Sequence, residues 1–420
     1  MKKKVLVLGC NFAGLTAARF IHKETKGAVD ITVIDRKNYV NFIPNIPIEV
    51  FANRNPEDTM EFPFQHHLKS DGTEFILGNV EALDIGNKRV IYTPSERAGA
   101  AQENISYDFL VISLGCKLTY DKIEGFSEFG HTFTDTYQGN KTRRYLHKEY
   151  KGGPIAVGSD RFIQGQSPKL PDIPQALAAC EGPPVEITFS IGDWLTRHKK
   201  GGPENVTVFT PAEVIADDAG KRILDQLLPI VSNMGFGYVN NTVGIKRLHK
   251  DGIEFLNGKS LEAELKIILP NWEPHDFMKG LPISDDQGFV ITDWYMQNPD
   301  YPEIFSCGDA ASVTVPKLGS LGHSEAEVVA KMIAKEVLSD YHHEIKPVQP
   351  QVLCFGDMGH GKGFYMHTNE WWGGDTSVLQ MGYMPYMLKM GFKVSYELLG
   401  GNVPSWGVPV SIFAGDHIAI

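Results

Sequence analysis

The stretch Gly9-Cys10-Asn11-Phe12-Ala13-Gly14 narrows the fold more than any other. It follows a short apolar run at residues 5–8 and opens LTAARFIHKE, whose apolar positions recur at helical spacing. A second apolar run, ITVID, ends in Asp35, 21 residues past Gly14. Strand, glycine turn, helix, strand and acid in that order make a dinucleotide-binding β-α-β unit. Gly9 permits the tight turn and Gly14 lets helix and strand approach. The helix N-terminus offers free N–H groups to a pyrophosphate. Asp35 stands where a carboxylate accepts hydrogen bonds from ribose hydroxyls. Asn11 replaces the usual middle glycine.

Two later segments extend this unit. Residues 107–116, YDFLVISLGC, read as an apolar strand ending at Gly115, where the chain returns to the cofactor. Near residue 300 another apolar strand, IFSCGD, ends in Gly308-Asp309. This resembles the second FAD fingerprint of disulfide-reductase-like flavoproteins. There the aspartate binds ribityl hydroxyls and the following helix aims its N-terminus at the flavin. The ordered pair of fingerprints makes FAD, not NAD, the expected occupant of the first site. Lys317, in VPKLG, is the candidate cation beside the pyrimidine end of the flavin. After Asp35, the loop DRKNYVNFIPNIPIEV is expected to avoid helix because of Pro44 and Pro47, and its aromatics suit a flat ring.

The middle of the chain reads as a second α/β domain, with strands at 152–159 and 205–211 and a helix over 185–198. Its nucleotide fingerprint is poor. A Pro-rich insertion, QSPKLPDIPQ, follows the first strand, and Thr210 and Pro211 stand where a ribose-binding acid belongs. A nicotinamide cofactor is therefore not expected there. Length supports the division, since 420 residues exceed one typical core. A net charge of −11 argues against nucleic-acid binding. Five cysteines, with no CxxC pair, exclude a dense disulfide scaffold and give no metal site. No apolar run reaches a membrane span, and the N-terminus shows no signal peptide.

Cys180 sits just before the helix, where the dipole is expected to lower its thiol pKa. Cys354 lies 174 residues later, in a strand-like piece before the turn GDMGHGKG. Spacing alone does not pair them. Taken together, GCNFAG, SLGCKL, CEGPPVE, CGDAASVTVPKLG and the later CF resemble the sulfide:quinone oxidoreductase family over nearly the whole chain. The resemblance implies α/β architecture: tandem Rossmann-like, glutathione-reductase-like domains with a C-terminal membrane-associating segment. The FAD domain would span 1–115 and 285–345, the second domain 116–284, and the membrane and quinone segment 346–420.

It also implies roles. Cys180 and Cys354 would form the redox pair that receives sulfide, with Cys354 favoured as the one that attacks the flavin. Glu186, six residues after Cys180, would handle protons. Gly9, Asn11, Gly14, Asp35, Gly115, Gly308, Asp309 and Lys317 would hold FAD. Phe42, Phe355 and Gly319 would lie at the quinone. A third family cysteine, in the linker, has no clear counterpart unless Cys116 approximates it, whereas Cys10 and Cys307 read as packing residues. The mixture of Met384, Met387, Leu398 and lysines, with the apolar tail after it, suits a helix on a bilayer surface. The expected partners are sulfide, a membrane quinone and the lipid surface, with homo-oligomerisation open and no nucleic acid. The expected location is peripheral, on the cell membrane. The alternatives are a type II NADH:quinone dehydrogenase, the flavin subunit of flavocytochrome c sulfide dehydrogenase, and a non-catalytic flavin or thiol redox protein.

Overall fold

The computed structural model describes residues 2–95, 99–168, 170 and 173–401. Its first sheet has seven strands. In spatial order they are Ile304–Ser306, Phe109–Ile112, Lys3–Leu8, Val29–Asp35, Glu74–Asp84, Arg89–Pro94 and Glu103–Ser106. The first five pair in parallel and the last two add antiparallel. Apolar runs such as Val5–Leu8 are buried on both faces, as parallel strands flanked by helices require. Ile304–Ser306 brings the chain back to the first sheet after the middle region, so both fingerprint strands end on the same edge.

Helix α1 (Phe12–Glu24) follows the first strand directly. A Cβ on Gly9 would fall 2.3 Å from the Ser113 carbonyl oxygen, and one on Gly14 only 1.9 Å from that of Gly9. Both positions exclude any side chain. Asn11 is tolerated because its side chain points away from the turn. Its Oδ1 accepts the Asn41 N–H at 3.0 Å, tying the following loop to the fingerprint. That loop differs from expectation. Ile43–Asn45 forms a 3-10 turn and Ile46–Phe51 a short helix, with Pro44 and Pro47 in their first turns. Proline is accepted there because the first N–H groups of a helix have no intrahelical partner.

A second, all-parallel sheet runs Gly130–His131, Leu265–Leu269, Ile155–Ser159, Val206–Phe209 and Gly237–Val239. Helix α2 (Gly182–His198) connects its central strands. It begins three residues earlier than the apolar spacing suggests, because Pro183 and Pro184 occupy its first turn. Helix α3 (Gly319–Val337) packs on α1 and begins nine residues after the end of the short 3-10 turn at Gly308–Ala310. The C-terminal part is a three-stranded antiparallel meander, Val352–Gly359, Lys362–Thr368 and Ser377–Gly382, followed by α4 (Tyr383–Leu399). The apolar tail beyond residue 401 lies outside the described residues. Among the described residues, no helix is long and apolar enough to cross a membrane.

Candidate active site

One continuous cavity of about 690 Å³ runs along the edge where the fingerprint strands end. At one end stand Asp35, Gly9 and Asn11; Gly115, Gly308, Asp309, Lys317 and Gly319 follow; Cys180, Glu186, Cys354 and Phe355 line the far end. Gly14 does not line it and acts through the close packing of α1.

The first end fits a dinucleotide. Asp35 Oδ2 accepts the Cys10 N–H at 2.5 Å and Oδ1 accepts the Lys37 N–H at 2.8 Å. Asp35 also lines the cavity, and each oxygen retains acceptor capacity beyond its one backbone partner. Elsewhere on the wall, the carboxamide oxygens of Asn41 and Asn45 are buried without a hydrogen-bond partner among the described residues, while the Asn45 amide donates to Met390 Sδ of the C-terminal helix at 3.7 Å. Such orphaned acceptors are characteristic of a wall built for a polar ligand. Lys317 is buried, and its Nζ donates to the carbonyls of Asp309 (2.8 Å) and Ala311 (3.0 Å). Burial lowers its pKa, and Cys116, Asp309, Glu325 and Asp285 oppose that shift. These groups suit a flavin dinucleotide, which Gly9, Asp35, Asp309 and Lys317 would hold.

Cys180 and Cys354 meet there as free thiols. Cys354 Sγ lies 3.1 Å from where a Cβ on Gly182 would stand, at the first residue of α2, so glycine there gives the sulfur close access to the helix start. The Lys317 N–H donates to the Ala179 carbonyl (2.8 Å), and Ser320 Oγ donates to that of Leu353 (3.3 Å). The residues before each cysteine are thereby fixed to the second fingerprint loop.

The thiol pKa expected from the helix dipole is overturned. Burial pushes the Cys180 thiol well above its ordinary value, with Asp218 and Cys354 adding to the rise; only the hydrogen bond from Gly182 opposes it. Desolvation outweighs the dipole because the thiol is buried among protein atoms. Cys354 is likewise pushed up to about 12, by burial first and by Glu186 second, with Lys389 opposing. Beside Cys180, burial raises Glu181 to about 8, Asp218 to about 7 and Asp217 to about 6. Glu181 Oε2 accepts the Ala216 N–H at 2.7 Å. Spacing gave no sign of this acidic group, whose members come together only through the fold.

Glu186 is buried and bonded to Lys389 of α4, whose Nζ also donates to the Phe355 carbonyl at 3.2 Å. Lys389 and Phe392 line the cavity beside Phe355. Both escape a sequence reading, since Lys389 looks like a polar residue on an interfacial helix. Phe42 is corrected. It is fully buried and absent from the cavity wall, packed in an aromatic cluster with Phe12, Phe62, Phe392 and Tyr396. Its neighbours Asn41, which ends a short strand, and Ile43, which opens the 3-10 turn, face the cavity instead. Cys116 also lines the cavity, its thiol donating to the Asp309 carbonyl at 3.2 Å. Cys10 is fully buried, and so is Cys307, which nonetheless reaches the wall.

In the second sheet, the insertion after Ile155–Ser159 folds back on the molecule. Phe162 packs with Ala176, Ala179, Phe289 and Val315, beside Cys116. Thr210 is buried where a ribose-binding acid would stand.

The outer face of α4 carries Tyr383, Met384, Met387, Val394 and Leu398, all more than half exposed. With Gly391 they form one stripe along the helix.

Comparison with known proteins agrees with this architecture. Residues 3–157 match the pyridine nucleotide-disulphide oxidoreductase family. A mitochondrial sulfide:quinone oxidoreductase of Dictyostelium discoideum is 23% identical over 350 residues, 78% of this chain and 69% of that one. An NADH dehydrogenase-like protein, YutJ, of Bacillus subtilis is 19% identical over 397 residues, covering 94% of this chain and 99% of that one. The solved sulfide:quinone oxidoreductase of Aquifex aeolicus superposes with a TM-score of 0.79 at 21% identity, covering 98% of this chain and 95% of that one. The chain is therefore similar in sequence to sulfide:quinone oxidoreductases and to an NADH dehydrogenase-like protein, and it has an α/β fold of two Rossmann-like sheets like that of the Aquifex aeolicus enzyme.

Proposed function

We propose that the protein oxidises sulfide to sulfane sulfur at Cys180 and Cys354 and passes the electron pair through FAD to a membrane quinone. The observation that carries this reading is the meeting of both thiols at the end of a cavity whose other end is a dinucleotide site. A nicotinamide donor would need none of this sulfur chemistry, and the second sheet presents a buried Thr210 and a packed insertion instead of a ribose-binding acid.

In the resting oxidised state the two cysteines are joined. Hydrosulfide attacks one sulfur, the S–S bond breaks, and one cysteine carries a persulfide while the other leaves as thiolate. That thiolate gives up an electron pair as its sulfur bonds to the persulfide sulfur, which loses its proton, so the added sulfur bridges the two cysteines; a further hydrosulfide takes the bridging sulfur and re-forms the disulfide. FAD, when bound, accepts the pair and hands it on. Overall, hydrosulfide, quinone and one proton give sulfane sulfur and quinol. The high thiol pKa values mean that a thiolate released in this pocket is a strong nucleophile with a strong drive to react onward.

The quinone head is placed between Phe355 and the inner face of α4, where Phe392 supplies an aromatic wall and the Lys389 ammonium a hydrogen bond. Glu186 sits beside both. The exposed stripe on the outer face of α4 then rests on the bilayer, so one helix both docks on lipid and walls the lipid-soluble substrate. The protein would be peripheral to the cell membrane, with FAD and substrate bound by the domains 1–115 with 285–345, 116–284, and 346–420. The test is quinone reduction by the purified protein with sulfide or with NADH as donor, in the native protein and in Cys180→Ser and Cys354→Ser.

A further inference from the structure

Reducing a quinone takes two electrons and two protons. A reduced flavin brings the electron pair and one proton, so a second proton must reach the quinone through the protein. At the cavity end assigned to the quinone, the acid on the wall is Glu186. Helix α2 carries Glu186, Ser190 and Asp193 at positions i, i+4 and i+7. They lie one above another on the face that packs against the strand Val352–Gly359.

That strand and its turn supply the intervening groups. The Asp357 N–H donates to the Glu186 carboxyl group. Ser190 Oγ donates to Asp357 Oδ2 at 2.9 Å and to its carbonyl at 3.0 Å. Asp357 Oδ1 accepts the Gly359 N–H at 3.3 Å. On the far side of Gly359 lies the carboxyl of Asp193, close enough that a Cβ on residue 359 would stand 2.3 Å from its carboxyl carbon. Asp193 Oδ1 meets His360 Nε2 at 2.8 Å. Asp193 is 7% exposed and His360 67%, so the line reaches solvent there. Seven residues of helix span roughly 10 Å, the distance from cavity wall to surface along this stripe.

We infer that His360, Asp193, Asp357 and Glu186 form the proton-uptake route of quinone reduction, with Ser190 and Lys389 as positioning residues. The inference rests on the quinone reading above. His360 takes a proton from water and passes it to Asp193. An intervening water carries the proton from Asp193 to Asp357, and a second carries it from Asp357 to Glu186, since these carboxyl groups do not touch. As the electron pair arrives, the O–H bond of Glu186 breaks and one forms on the quinone oxygen. Each group returns to its starting state, and no oxidant beyond the quinone is needed.

The electrostatics suit a proton carrier at Glu186 and Asp357. Burial raises the pKa of Glu186, which Lys389 lowers and Asp357 raises. Burial raises Asp357 too; Ser190 and Lys389 lower it, and Asp193 raises it. The charged and titratable groups facing the route are Lys389 and Tyr386 from α4, Arg197 beside Asp193, and Cys354 beside Glu186.

The test uses the holoenzyme with its flavin photoreduced without sulfide. It is mixed with a water-soluble short-chain quinone, and flavin re-oxidation is followed by stopped flow. Ferricyanide, which takes electrons and no proton, is the control oxidant. Asp193→Asn and Asp357→Asn are expected to slow re-oxidation by quinone at least ~10-fold and leave ferricyanide unaffected. His360→Gln is expected to be slow and to recover with added imidazole. Independently of turnover, infrared pH titration of the oxidised holoenzyme should show protonated-carboxyl absorption that titrates above the ordinary carboxylate range, and the native-minus-variant difference should show one such carboxyl lost in Asp357→Asn. If Asp357→Asn does not fold, Asp193→Asn and His360→Gln still decide the matter. Native rates with quinone in these variants, or equal slowing with both oxidants, would overturn the route. A native flavin that no quinone re-oxidises would overturn the acceptor reading and the route together. A flavin that sulfide does not reduce refutes only the donor assignment, because light supplies the electrons here.

Discussion

Lys389→Met removes the positive half of an ion pair that joins α4 to the cavity wall. The two side chains are 2% and 8% exposed, so the pair is buried. Removing one partner of such a pair costs ~3–5 kcal/mol, because the remaining charge stays desolvated. The lost hydrogen bond to the Phe355 carbonyl adds about 1 kcal/mol. With an unfolding entropy of about 2 cal/mol/K per residue, a chain of 420 residues melts roughly 4–7 °C lower for that loss. The pH dependence has a definite sign. Glu186 already has its folded-state pKa raised, and loss of Lys389 raises it further. A carboxyl raised on folding binds its proton more tightly in the folded state, so the penalty is small near the ordinary carboxylate value and grows as pH rises above it. Adding Glu186→Gln removes the stranded charge and should restore most of the melting temperature. Calorimetric melting of the native protein, both single variants and the double variant, at mildly acidic and mildly alkaline pH, measures the coupling directly. Lys389→Met melting within a degree of native at both pH values, with no rescue by Glu186→Gln, would refute the buried pair.

In the reduced protein, alkylation of Cys354 should be about a thousandfold slower at neutral pH than for an unperturbed thiol, given its value of about 12; mass-resolved labelling against pH reads this. Asp218→Asn removes an anion that raises both thiols, so labelling should speed up ~5-fold or more, chiefly above the Asp218 value of about 7. Gly14→Ala places a methyl 1.9 Å from the Gly9 carbonyl oxygen and should yield protein without bound flavin, read from its visible absorbance after purification. Met387→Asp with Leu398→Asp charges the exposed stripe of α4 and should move the protein from the pellet to the supernatant in vesicle sedimentation, while photoreduced flavin remains oxidisable by ferricyanide.

What the sequence revealed was mostly local. Gly9, Gly14 and Asp35 act within one β-α-β unit, so their roles follow from short spacings, and Gly308-Asp309 repeats that logic at the end of a second strand. The pairing of Cys180 with Cys354 was legible only through family resemblance, since the two stand 174 positions apart. Lys389 was invisible because its partner Glu186 lies 203 residues away. Phe42 misled because an aromatic residue beside cavity-lining neighbours points to the opposite side. The thiol pKa misled for a related reason. A helix start is written in the sequence, whereas the burial that outweighs it is a property of the folded molecule.

Sulfide-dependent reduction of a short-chain quinone by the purified flavoprotein tests the central claim most directly. The account predicts rapid reduction with sulfide, none with NADH, and loss of the sulfide reaction in both Cys180→Ser and Cys354→Ser. NADH-driven reduction that persists in both variants would contradict it.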